Sequence, residues 1–130
     1  IDLPVCSFCR TKYGKYAEYH TSADNLTYIS PEGLDGALEL LTKFVQAMEH
    51  NAKYRVKCLC EPQLGKRGLY PTVSKKGSYD AVKALTDFIA YADGTNDLVE
   101  ISNIIHQPVD VLIPIAEKLL ANDLIEKVEV

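Results

Sequence analysis

One histidine stands out by its neighbours: His20 lies in Glu18-Tyr19-His20-Thr21-Ser22-Ala23-Asp24-Asn25, among hydroxyls and a carboxylate. An imidazole on a loop can give one ring nitrogen to a metal, while polar groups such as Thr21 and Asp24 orient the ring from behind. The alternative is a structural turn histidine. Arg10 is the second residue of interest, because a guanidinium near such a cleft can hold a substrate carboxylate through two parallel hydrogen bonds. It can equally pair with Glu18, and spacing does not decide between the two. The other histidines have plainer roles: His50 falls at the end of an expected helix, where positive charge suits the dipole, and His106 precedes Pro108 as a turn residue.

The four cysteines form two short-spaced pairs, Cys6-x-x-Cys9 and Cys58-x-Cys60. Together they could hold a structural zinc, but the second pair is tighter than usual half-sites and neither has a Gly-rich turn. Ordinary small core residues are the competing reading. With no signal peptide and no disulfide-rich composition, the cysteines point to a reducing, cytoplasmic setting.

These residues need elements to position them. Alternation over 2–9 predicts a short strand that delivers its end to a functional loop, and the Tyr-rich stretch 10–29 lacks any helical period. Ser30-Pro31-Glu32 is a helix start: a capping hydroxyl, a proline whose missing N–H is harmless in the first turn, and a carboxylate at the positive end of the dipole. Leu34, Ala37, Leu38, Leu41, Phe44 or Val45, and Met48 then recur at helical steps, which predicts about five turns burying one stripe.

Between Lys53 and Gly77 the periodicity fades, and prolines and glycines punctuate a basic connector carrying Lys57, Lys66, Arg67, Lys75 and Lys76. Beyond it, apolar steps predict helices over about 79–92, 97–105 and 108–121, followed by a β-prone tail over 124–130. Three helices and a strand are the helix-turn-helix plan with a wing. Pro114 should kink the third helix or mark its proper start.

The 130 residues are 47% hydrophobic and 25% charged, as expected for a globular chain with no membrane span. The absence of an initial Met leads us to expect part of a longer protein. Net charge is −4 but unevenly spread: residues 1–77 hold 11 Lys/Arg against 8 Asp/Glu, and residues 78–130 hold 3 against 10. The basic connector is thus expected to dock on an acidic tail, its own or a second subunit's; binding an anionic group is the alternative. Nucleic acid is disfavoured, because the presumed recognition helix offers Lys118 against Asp110 and Glu117.

Tyr19-His20-Thr21-x-x-Asp24 before a long helix resembles the final metal-binding motif of the co-catalytic di-zinc aminopeptidases. A bacterial group of aminopeptidase-like proteins, often found beside polysaccharide-biosynthesis genes, is similar over nearly the whole chain. The shared residues include Arg10-Thr11, Glu18 to Asn25, Ser30-Pro31-Glu32 and Cys60-Glu61-Pro62-Gln63-Leu64-Gly65-Lys66-Arg67-Gly68-Leu69-Tyr70-Pro71. That resemblance implies His20 as a zinc ligand, Tyr19 as a hydrogen-bond donor to the oxyanion, and a C-terminal winged-helix module. It also implies an α/β segment, the edge of a zinc-exopeptidase-like mixed sheet plus a long helix, followed by a small α+β winged helix-turn-helix domain. The divisions expected are 1–57, a connector over 58–77, and 78–130.

A di-zinc site needs further His and Asp/Glu ligands and a general base, which in the family precede the equivalent of Ile1. This chain alone is therefore expected to be metal-free and inactive. In the longer protein two zinc ions and hydrolysis of N-terminal peptide or related amide bonds are implied. The expected partners are a peptide or small amide substrate and the upstream part of the same protein, with a homo-oligomer left open. A binding or regulatory role for the winged helix, with protein before DNA, is the alternative function.

Overall fold

The computed structural model describes residues 3–70 and 78–128. They fall into two compact units, Ile1–Thr42 and Lys43–Val130, whose boundary lies inside the first helix.

In the first unit, residues 3–29 run as bends and turns. The strand expected over 2–9 begins outside the described residues, and residues 3–9 take no strand pairing among those described. Alternation alone cannot make a strand, since its N–H and C=O groups need a neighbouring strand to bond. Helix α1, Pro31–His50, starts where its sequence signals put it. Ser30 Oγ accepts the Gly33 N–H at 3.1 Å, and hydrogen bonds from its own backbone and from Ser30 hold the Glu32 carboxyl below its ordinary pKa. The apolar stripe is present but not covered: no residue of α1 is buried, with Leu34 59%, Leu38 65% and Met48 63% exposed. The expected burial is therefore not supplied by the described residues.

The second unit is built on β1, Lys53–Val56, a single 3-10 turn Gly65–Arg67, α2 Ser78–Tyr91, β2 Asp93–Asp97, α3 Leu98–Ile105, α4 Val109–Ala121 and β3 Ile125–Val128. The three strands form an antiparallel sheet in the order β2-β1-β3. Thus the central strand comes from ahead of the helices. Tyr54 and Val56 of β1 face Lys127 and Ile125 across the ladder, while Arg55 pairs with Glu126 at Nη2–Oε1 2.7 Å.

Leu85 and Phe88 of α2, Leu98 and Ile101 of α3, and Leu112 and Leu119 of α4 fill the core. Tyr54 closes it from the sheet, its ring centroid 5.8 Å from that of Phe88. Leu64 and Leu69, on either side of the 3-10 turn, are buried in the same core, so this stretch packs as well as connects. Of the connector, residues 71–77, with Lys75 and Lys76, lie outside the described residues, as do 129–130 of the β-prone tail.

Helix ends in this unit are well determined. Asp97 and Glu100 form a reciprocal capping box, each carboxylate accepting the other's N–H at 2.8 Å. His106 ends α3 in the left-handed conformation at φ 54°, the turn role expected of it. Helix α4 runs unbroken through Pro114, which leaves the Asp110 carbonyl without its usual helical donor. Residues 93–97, which the sequence reading left between two expected helices apart from residue 97, pair as strand β2 against β1. No helix among the described residues is long and apolar enough to cross a membrane.

Candidate functional site

The motif around His20 sits on a chain of tight turns. Backbone N–H groups of Lys15, Tyr19, Thr21, Asp24 and Tyr28 each bond the carbonyl three residues earlier, at 2.9–3.4 Å. Side chains lock these turns: Thr21 Oγ1 donates to the Glu18 carbonyl at 2.7 Å and accepts the Ala23 N–H at 3.2 Å. Asn25 Oδ1 accepts both the N–H and the hydroxyl of Thr27, at 2.9 and 2.7 Å. Short polar side chains that capture nearby backbone groups are what such turns require. Here they fix the loop that carries His20.

His20 itself has φ 59°, a left-handed conformation that a residue with a Cβ adopts only where the surrounding turns hold it. Its exposed imidazole makes no hydrogen bond among the described residues. The Tyr19 ring stands edge-on to it, with centroids 4.2 Å apart and planes at 66°. Tyr19 in turn meets Tyr16 at 5.6 Å and Tyr13 at 6.2 Å, and Tyr16 stacks on Tyr28 at 5.3 Å with planes at 14°. Four phenols and one imidazole thus form a continuous aromatic cluster. Desolvation, followed by the charge of Asp24 and then by Tyr28, Tyr19 and Cys9, pushes the Tyr16 phenol above its ordinary pKa.

The expected site residues separate. Tyr19 and His20 are brought together; Asp24 acts electrostatically on Tyr16, and no hydrogen bond between its carboxylate and His20 occurs among the described residues. Arg10 forms no ion pair with Glu18 among the described residues. Instead its guanidinium lies against the first turn of α1, where a Cβ added to Gly33 would come within 2.7 Å of Nη1. Arg10, Tyr16, Tyr28, Ile29, Gly33 and Leu34 are among the residues lining an open groove of about 520 Å³ in this unit.

Tyr28 and Gly33 carried no signal in the sequence reading. The three-residue spacing of Tyr13, Tyr16 and Tyr19 could have revealed part of the cluster, since successive turns stack side chains at that interval.

His50, also within the second unit, bonds the Gln46 carbonyl through Nδ1 at 2.8 Å and faces Glu117 of α4 through Nε2 at 3.3 Å. It closes the end of α1, as its position predicts.

Among the described residues no three His, Cys, Asp or Glu side chains gather as metal ligands. All four cysteines are free thiols; Cys58 Sγ donates to the Cys60 carbonyl at 3.1 Å. A zinc site that used His20 would need ligands beyond the described residues.

Three helices in helix-turn-helix order over an antiparallel sheet define the second unit, and its sequence agrees: residues 52–127 match the winged helix-turn-helix family, to which the chain belongs. Residues 1–51 match a family described as a domain of unknown function. Over 104 residues the chain is 38% identical to a Clostridium acetobutylicum protein provisionally described as a polysaccharide biosynthesis protein with an aminopeptidase-like domain. That match takes in 78% of this chain and 24% of the relative. The crystal structure of a provisionally assigned peptidase from Clostridium acetobutylicum superposes with a TM-score of 0.73 at 29% identity, covering 87% of this chain and 24% of that one. The chain therefore spans about a quarter of the length of these relatives. The expected kinship with an aminopeptidase-like protein is met, and residues 52–127 carry the expected winged helix.

Proposed function

We propose that, in the longer protein, residues 1–50 furnish one wall of a zinc-dependent aminopeptidase site that hydrolyses N-terminal peptide or related amide bonds. The observation that carries this reading is the exposed His20 imidazole, held on a left-handed turn without a hydrogen bond among the described residues and flanked by Tyr19 at 4.2 Å. His20 is one zinc ligand, and the upstream part of the protein supplies the others, the second zinc and the general base. A zinc centre supplies Lewis acidity, polarising a carbonyl and acidifying water.

The Tyr19 hydroxyl donates a hydrogen bond to the amide oxygen as negative charge grows there. Arg10 holds a substrate carboxylate. Asp24 supports the site by setting the field around the tyrosine cluster. The exposed apolar stripe of α1 from Leu38 onward is covered by the same upstream part, consistent with relatives about four times as long. Four free thiols agree with a cytoplasmic location.

The test is kinetic. In the full-length protein His20→Ala should abolish hydrolysis of an aminoacyl arylamide, and wild-type protein that fails to hydrolyse any such amide would remove the reading.

A second function belongs to the winged helix, as a protein-contact module. It is favoured by the acidic balance of α4, where Asp110 and Glu117 oppose Lys118 and Glu117 already faces His50. Phosphate binding draws on surplus Lys and Arg, which this helix does not offer.

A further inference from the structure

We infer that the groove beside the tyrosine cluster selects amides that carry a free carboxylate next to an apolar side chain, with Arg10 as the anchor and Gly33 as the residue that makes room for it. This deepens the proposed function by naming its substrate class, and it rests on that reading only for the chemistry that follows binding.

The groove, about 520 Å³, suits a ligand of two or three small residues. Ile29, Leu34 and Ala37 form an apolar side, and the stacked Tyr16 and Tyr28 form a flat one. Arg10 is the charged residue in the lining. It has no ion-pair partner among the described residues. The Ser30 hydroxyl accepts the Gly33 N–H and donates to Glu32. An exposed guanidinium at the edge of a half-apolar groove, with no ion pair among the described residues, is open to an anion, and its planar fork favours a carboxylate.

Gly33 sets where that fork lies. A Cβ at this position would stand 2.7 Å from Arg10 Nη1 and would push the guanidinium off the helix. Alanine suits a helix better than glycine, so the requirement here is space rather than backbone freedom. The groove also abuts the catalytic pair: Tyr16 lines it, Tyr16 touches Tyr19 at 5.6 Å, and Tyr19 touches His20 at 4.2 Å. A ligand anchored on Arg10 therefore lies along the cluster that leads to His20.

The experiment uses the full-length protein as purified, with N-acetyl-L-leucine and N-acetyl-L-leucinamide as calorimetric probes. They differ in one charge, and neither has the free amine that turnover requires. The acid should bind about tenfold tighter than the amide, the low end of what a charge-assisted pair gives. Arg10→Ala should make the two equal, Arg10→Lys should leave part of the preference, and Gly33→Ala should narrow it without loss of helix content. Equal binding in the wild type, no measurable binding of either probe, or a preference that survives Arg10→Ala would overturn the inference. Zinc content measured on the same preparations reports separately on the metal-site reading. Protein that lacks zinc yet prefers the acid removes that reading and leaves this one.

Discussion

At the residue scale, Tyr19 and His20 are held by different means, and their variants should fail differently. The Tyr19 ring is fixed by aromatic neighbours, so Tyr19→Phe keeps the cluster and deletes one hydroxyl. If that hydroxyl stabilises charge only in the transition state, kcat in the full-length protein should fall about a hundredfold with KM nearly unchanged. A rise in KM alone would make Tyr19 a binding residue instead. The motif was legible because its residue types are chemical and close in sequence. Arg10 was legible only as a choice between two partners, since nothing local says that its guanidinium lies on a helix that begins at Pro31.

At the element scale, α3 starts at its capping box, and removing it tests that start, together with the hydrogen bond that Asp97 Oδ2 accepts from Asn51 at 3.2 Å. Asp97→Ala loses the acceptor for the Glu100 N–H and should cost about 0.5–2 kcal/mol, read as a lower denaturation midpoint at constant slope. Phe88→Ala, at 0% exposure and packed on Tyr54, should cost about 3–5 kcal/mol. Helices were readable because their period and end signals are local: α1 starts at Pro31, α2 ends at Tyr91, and α4 begins after Pro108. Strands β1 and β2 were not. Lys53–Val56 and Asp93–Asp97 are short and polar, and they become strands only through each other and β3, across long stretches of chain. Leu64 and Leu69 were hidden for the same reason, because no period marks two leucines that reach a core from either side of a single 3-10 turn.

At the scale of the whole molecule, the second unit has its own sheet and core, and residues 43–130 should unfold cooperatively when expressed alone. The alkaline limit of that unit has an identifiable contributor. Burial, and then the charge of Glu117, raise the Tyr54 phenol above its ordinary pKa, while its hydroxyl donates to the His50 carbonyl at 2.9 Å. A folded-state pKa above the unfolded one of 10.0 gives stability that is complete below pH 10 and is lost as pH rises through the raised value. Tyr54→Phe should therefore flatten the alkaline fall in stability, seen by comparing denaturation midpoints at pH 8 and pH 11; an unchanged fall would assign it to other groups.

The first unit has no such self-sufficiency. Among the described residues its helix leaves an apolar stripe uncovered, and no three His, Cys, Asp or Glu side chains gather as metal ligands. On the proposed reading, both features are met by an upstream part of a longer protein. The most direct measurement is the zinc content of the full-length protein and of its His20→Ala variant, after equilibration with limiting zinc. The account predicts two zinc ions per wild-type chain and a loss of at least one in the variant. Two zinc ions in both proteins would contradict it.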